Sequence, residues 1–84
     1  MIITMYTQAG CTYCEQAKAL ILSKGYTVQE LILNVGQKQE PGKTYVPVQH
    51  LKDRLPNATS VPQMFEGRTY IGDFSKLKEF LRFD

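Results

Sequence analysis

The chain is poor in metal ligands, in concentrated charge and in long apolar runs. It has only two cysteines and one histidine. A structural zinc site needs about four ligands, and no second cluster of ligand types accompanies the cysteines, so no resident metal is expected. Net charge is only +2, and the ten Lys and Arg residues are scattered from Lys18 to Arg82. Nucleic-acid binding needs a basic stripe or patch, so no nucleic-acid partner is expected. No run approaches the ~18 apolar residues of a membrane span. The apolar start, Met1 to Tyr6, has neither a basic n-region nor a long h-region, so it does not read as a signal peptide. The expectation is a soluble cytoplasmic protein. In that reducing setting a cysteine pair points to catalysis or metal rather than to a permanent staple. No linker or internal repeat interrupts the 84 residues, which read as one domain. No long apolar patch forces association, so a monomer is expected.

What is present is a regular succession of short elements. Ile2, Ile3, Met5 and Tyr6 predict a buried strand over 2–7, halted by Ala9-Gly10. Cys14, Ala17 and Ile21 recur at helical spacing and predict a helix over 12–24, ended by Lys24-Gly25. Tyr26 to Leu33 reads as a second strand, parallel to the first because a helix intervenes. Residues 34–45 read as a mobile loop. Val48, Leu51 and Leu55 predict a helix over 46–55, with Pro47 near its first turn. Val61 to Phe65 and Arg68 to Ile71 predict a hairpin around Glu66-Gly67. Phe74, Leu77 and Leu81 predict a last helix over 74–82. The order β-α-β-α-β-β-α implies an α/β fold, a four-stranded mixed sheet with helices on both faces.

Cys11 and Cys14 fall at the start of the first predicted helix. Their spacing lets the two sulfurs approach within disulfide range. A helix N-terminus offers free N–H groups and partial positive charge, and both favour a thiolate at Cys11. A structural disulfide here would close a trivial loop and stabilise little. A strand before the pair and a helix carrying it favour redox chemistry over zinc or a staple. Cys11 would attack a substrate disulfide, and Cys14 would resolve the mixed disulfide.

Three segments resemble the glutaredoxin family and together span almost the whole chain. They are Tyr6-Thr7 followed by Cys11-Thr12-Tyr13-Cys14, then Ser60-Val61-Pro62-Gln63, then Tyr70-Ile71-Gly72-Asp73-Phe74-Ser75. The resemblance implies a thioredoxin-like fold and a thiol–disulfide oxidoreductase. It carries no bound cofactor and uses glutathione as reductant and co-substrate. It also implies a cis Val61–Pro62 bond beside Cys11. By matching positions, Tyr13 would pack beside the bound sulfur and Val61 would bond the cysteinyl backbone of glutathione. Ser60 and Pro62 belong to the same segment. Phe74 and Ser75, after Gly72, would offer amides to the γ-glutamyl carboxylate. Gln49 would reach the glycyl carboxylate. Disulfide-bearing clients, ribonucleotide reductase among them, are the implied partners.

The chain departs from the family pattern at four positions. Gln8 stands where many relatives have a lysine that attracts a glutathione carboxylate. Asp73 replaces a second glycine, with helix capping as its other reading. Lys76 replaces an acidic residue, and Glu15 adds negative charge beside the cysteines. Glutathione binding weaker than in a typical relative is expected, as is a thiolate less favoured at Cys11. Two alternatives stand beside glutathione dependence: reduction by a thioredoxin reductase, and a glutathione-ligated [2Fe–2S] carrier, to which Thr12 in place of proline is no obstacle.

Overall fold

A computed structural model describes residues 1–82. The elements in chain order are β1 (Ile2–Thr7), α1 (Thr12–Ser23), β2 (Thr27–Asn34), β3 (Tyr45–Pro47), α2 (Val48–Arg54), β4 (Gln63–Glu66), β5 (Thr69–Gly72) and α3 (Phe74–Arg82). The strands form one sheet in the order β3-β2-β1-β4-β5. β1 runs parallel to β2, as a helical crossover requires. β4 lies antiparallel to β1, and β5 returns antiparallel to β4 through a turn at Gly67.

The period-2 alternation of β1 feeds two cores. Ile3 and Met5 point to one face, where they meet Ala17 and Ile21 of α1 and Leu77 and Leu81 of α3. Tyr6 points to the other face and packs with Leu31, Leu33, Phe65 and Leu51 of α2. β1 is therefore covered on both sides, which is why its sequence is apolar almost throughout. The Tyr6 hydroxyl is paired at 2.7 Å with Nδ1 of His50 on α2. Thr7, at the exit of β1, donates to Glu30 Oε2 at 3.0 Å, and Lys18 of α1 reaches Glu30 Oε1 at 3.3 Å. That brace ties the exit of β1 to α1 and β2. α1 ends where Gly25 takes φ +81 and its N–H bonds to Leu22 O. A side chain there would meet the steric cost of the left-handed region.

The sheet has five strands rather than the expected four. Tyr45, Val46 and Pro47 pair parallel with Ile32, Leu33 and Asn34. The helix expected from residue 46 begins at Val48, because Pro47 holds an extended conformation at φ −65 and ψ 152 and serves as its N-cap. Three residues are too few to show a strand's alternation, so Val46 reads equally well in either element. The loop expected over 34–45 is free of helix and strand over 35–44 only, since Asn34 ends β2 and Tyr45 opens β3, and it is tied locally. Gln37 bonds Val35 N and Leu33 O, and Glu40 N donates to the Tyr45 hydroxyl at 2.8 Å. No helix among the described residues is long and apolar enough to cross a membrane.

Candidate active site

The loop from Gln8 to Gly10 carries the chain from the end of β1 to the start of α1. Cys11 is the N-cap of α1, in extended conformation at φ −89 and ψ 109. Its Sγ accepts the backbone N–H of Cys14 at 3.1 Å. A sulfur thus does the work usually done by a Ser or Asp oxygen. The same amide, with the helix dipole behind it, would stabilise negative charge on that sulfur once the pair is reduced. Cys11 and Cys14 are joined as a disulfide, with Cα atoms 5.2 Å apart. Cys14 is buried and Cys11 is half-buried. The two cysteines stand about one helical turn apart along the chain, and Cys11 is the more accessible of the two residues.

Across from Cys11 lies the Val61–Pro62 bond, which is cis. Val61 O sits 3.9 Å from Cys11 Sγ. Tyr13, Val61, Pro62, Phe74 and Ser75 line one groove of about 580 Å3. Tyr13 is 62% exposed and its ring stands 5.9 Å from that of Phe74. Asp73, which closes the groove at the start of α3, is a helix cap: its Oδ1 accepts Lys76 N–H at 3.1 Å. The amides of Phe74 and Ser75 belong to the first turn, where no intrahelical acceptor exists. They therefore stay available beside the Asp73 carboxylate. Lys76 is absent from this lining, and its ammonium lies 3.8 Å from Glu79.

A second groove, of about 450 Å3, opens on the other side of Val61. Gln8 and Ser60 line it, together with Leu33, Val48, Leu51 and Lys52. Gln49 is not brought to either groove. It is exposed, and its Nε2 donates to Asp53 Oδ1 at 2.8 Å. The reason is rotational: Val48, Leu51 and Lys52 share the groove side of α2, and Gln49 is turned about 100° from Val48. Lys52, not singled out from the sequence, is the residue of α2 that brings charge to the groove. Its spacing of four from Val48 was the available signal. No sequence signal points to Gln63 as the partner of Ser60 or to Tyr70 as the partner of Gln63. Tyr70 donates to Gln63 Oε1 at 2.6 Å, and Gln63 Nε2 donates to Ser60 O at 3.1 Å. No group of three or more His, Cys, Asp or Glu that could hold a metal is found among the described residues.

No protein-family model matches the chain. Individual relatives do. The chain is 35% identical over 72 residues to glutaredoxin 3 of Escherichia coli, covering 83% of this chain and 74% of the relative. It is 32% identical over 76 residues to a glutaredoxin of Neisseria meningitidis, covering 89% and 79%. It is also 33% identical over 78 residues to a hybrid peroxiredoxin of Haemophilus influenzae, of which it spans only 28%. Among solved structures, the glutaredoxin of Brucella melitensis superposes with a TM-score of 0.68 at 26% identity, covering 98% of this chain and 79% of the other. Reduced Escherichia coli glutaredoxin superposes at 0.73 and 20% identity, covering 100% and 96%. At that identity the likeness speaks for the shared thioredoxin-like α/β fold alone.

Proposed function

The chain belongs to the glutaredoxin family of thiol–disulfide oxidoreductases, and from that membership we propose that it reduces protein disulfides and glutathione mixed disulfides with electrons from glutathione. The observation that carries the reading is the placement of Cys11 Sγ, on a half-buried residue at the N-terminus of α1 and facing Val61. In the monothiol route the Cys11 thiolate attacks the glutathionyl sulfur of a mixed disulfide. The client leaves as a thiolate and takes up a proton. A second glutathione thiolate then attacks the Cys11 mixed disulfide, releasing glutathione disulfide and the Cys11 thiolate. In the dithiol route Cys11 attacks a client disulfide and Cys14 displaces the client. The Cys11–Cys14 disulfide that results is reduced by two glutathiones.

Glutathione would lie across Val61 with one end in each groove. Its γ-glutamyl carboxylate would take the Phe74 and Ser75 amides, with Tyr13 against the sulfur and Gly72 allowing close approach. Its glycyl carboxylate would lie on the Gln8 and Ser60 side, where Lys52 supplies the positive charge that Gln8 does not. The Asp73 carboxylate works against the first contact, so binding weaker than in a relative with a second glycine there follows.

The deciding experiment is reduction of hydroxyethyl disulfide coupled to glutathione and glutathione reductase. Activity abolished in Cys11→Ser and retained in Cys14→Ser supports glutathione as the resolving thiol. Turnover with a thioredoxin reductase and none with glutathione would overturn glutathione dependence.

A further inference from the structure

Two residues outside both grooves hold the Ser60–Val61 peptide unit, which precedes the Val61 carbonyl that faces Cys11. Gln63 is only 6% exposed, and each end of its amide is committed. Oε1 accepts the Tyr70 hydroxyl at 2.6 Å, and Nε2 donates to Ser60 O at 3.1 Å. Ser60 O can only accept, so it takes the NH2 end and leaves Oε1 to the Tyr70 hydroxyl, which braces the amide in that sense. The Ser60–Val61 bond is trans, since among the described residues the cis bond is Val61–Pro62. In a planar trans unit the C=O and N–H point in opposite directions. A grip on Ser60 O therefore fixes where Val61 N–H points.

We infer that Tyr70 and Gln63 are positioning residues for peptide substrates: they aim Val61 N–H at the backbone of the substrate that carries the reacting disulfide. The inference rests on the reading that Val61 pairs with the substrate backbone. It adds that this pairing is set from β5, by a hydroxyl that touches no substrate. Without the grip, Val61 N–H samples several directions, and part of the binding energy goes to ordering it. The sulfur chemistry at Cys11 is untouched, because neither residue contacts it.

The test compares two disulfides reacting with the reduced protein in single-turnover mode. Glutathione disulfide carries peptide groups beside its sulfurs; hydroxyethyl disulfide carries none. Tyr70→Phe keeps the ring against Phe65, 5.2 Å away, and removes only the hydroxyl. The expected result is a second-order rate with glutathione disulfide reduced roughly three- to tenfold, the worth of one neutral hydrogen bond. With hydroxyethyl disulfide the rate stays within about twofold. Gln63→Glu, which sets a carboxylate against Ser60 O, should lower the peptide rate at least as far. An equal loss on both disulfides, or no loss on either, would overturn the inference. A parent protein with no advantage for glutathione disulfide would instead remove the reading of Val61 on which the inference rests, and the inference with it.

Discussion

The backbone N–H of Cys14 points at the Sγ of Cys11 from 3.1 Å, so the first cysteine caps the helix that carries the second. The next residue, Glu15, is exposed in the first turn. A carboxylate there suits the helix dipole but repels a thiolate at Cys11. Glu15→Gln should raise the rate of Cys11 alkylation by iodoacetamide at neutral pH. The gain is roughly two- to threefold at low salt, the scale of one exposed charge, and it shrinks as salt screens the pair. An unchanged rate at low salt would show that Glu15 does not act on the sulfur.

Asp73 does two things with opposite signs. Its carboxylate caps α3 through Lys76 N–H, and it sets a negative charge beside the amides offered to a glutathione carboxylate. Asp73→Asn separates the two, since Asn caps as well as Asp. Stability in urea should stay within about 0.5 kcal/mol while KM for glutathione falls. Asp73→Ala should cost about 1 kcal/mol. If Asn leaves KM unchanged, the charge does not reach the ligand.

Much of this site was legible in the sequence, and the remainder was hidden for physical reasons. The Cys11–Cys14 spacing and the start of α3 at Phe74 follow from local signals, namely a break and an amphipathic stripe, whereas the cis Val61–Pro62 bond follows from the family resemblance of Ser60-Val61-Pro62-Gln63. β1 and α3 were bounded correctly because each presents a clear apolar pattern to a core. The position of Gln49 in the family pattern says nothing of how α2 is rotated; Lys52 lines the groove instead. Residues 45–47 form β3, but three residues carry no period and their sequence fits loop and helix equally well. The Tyr70–Gln63–Ser60 chain runs from a hydroxyl through the Gln63 amide to the Ser60 carbonyl, and no apolar period encodes such contacts.

Gly72 joins β5 to α3 under a tight constraint. Its φ is +128, and a Cβ placed on it would come within 2.5 Å of Lys76 Cβ and 2.8 Å of Lys76 Cγ. Both the conformation and the contact exclude a side chain. Gly72→Ala should destabilise the domain by about 1–3 kcal/mol in chemical denaturation, the usual cost of a residue forced into such a region. Adding Lys76→Gly relieves the contact but not the φ, so it should recover only part of the loss. Full recovery would show that the contact alone requires glycine.

Tyr70, 48% exposed, should add a modest loss of stability at alkaline pH. Burial, with the Asp73 carboxylate as second cause, raises its hydroxyl above the ordinary tyrosine range. The folded protein therefore favours the neutral form. Below about pH 10 the hydroxyl is neutral in folded and unfolded chains alike, and the stabilisation is fully present. As pH rises beyond that value, unfolded chains release this proton while folded ones retain it, so stability falls until the folded hydroxyl also ionises. Ionisation also removes the proton that bonds Gln63 Oε1. Urea unfolding measured at several pH values above about 10 should show a steeper loss of stability in the parent than in Tyr70→Phe. The other tyrosines contribute equally to both proteins, so the difference in slope isolates Tyr70. Parallel slopes would mean that its hydroxyl ionises alike in the folded and unfolded chain.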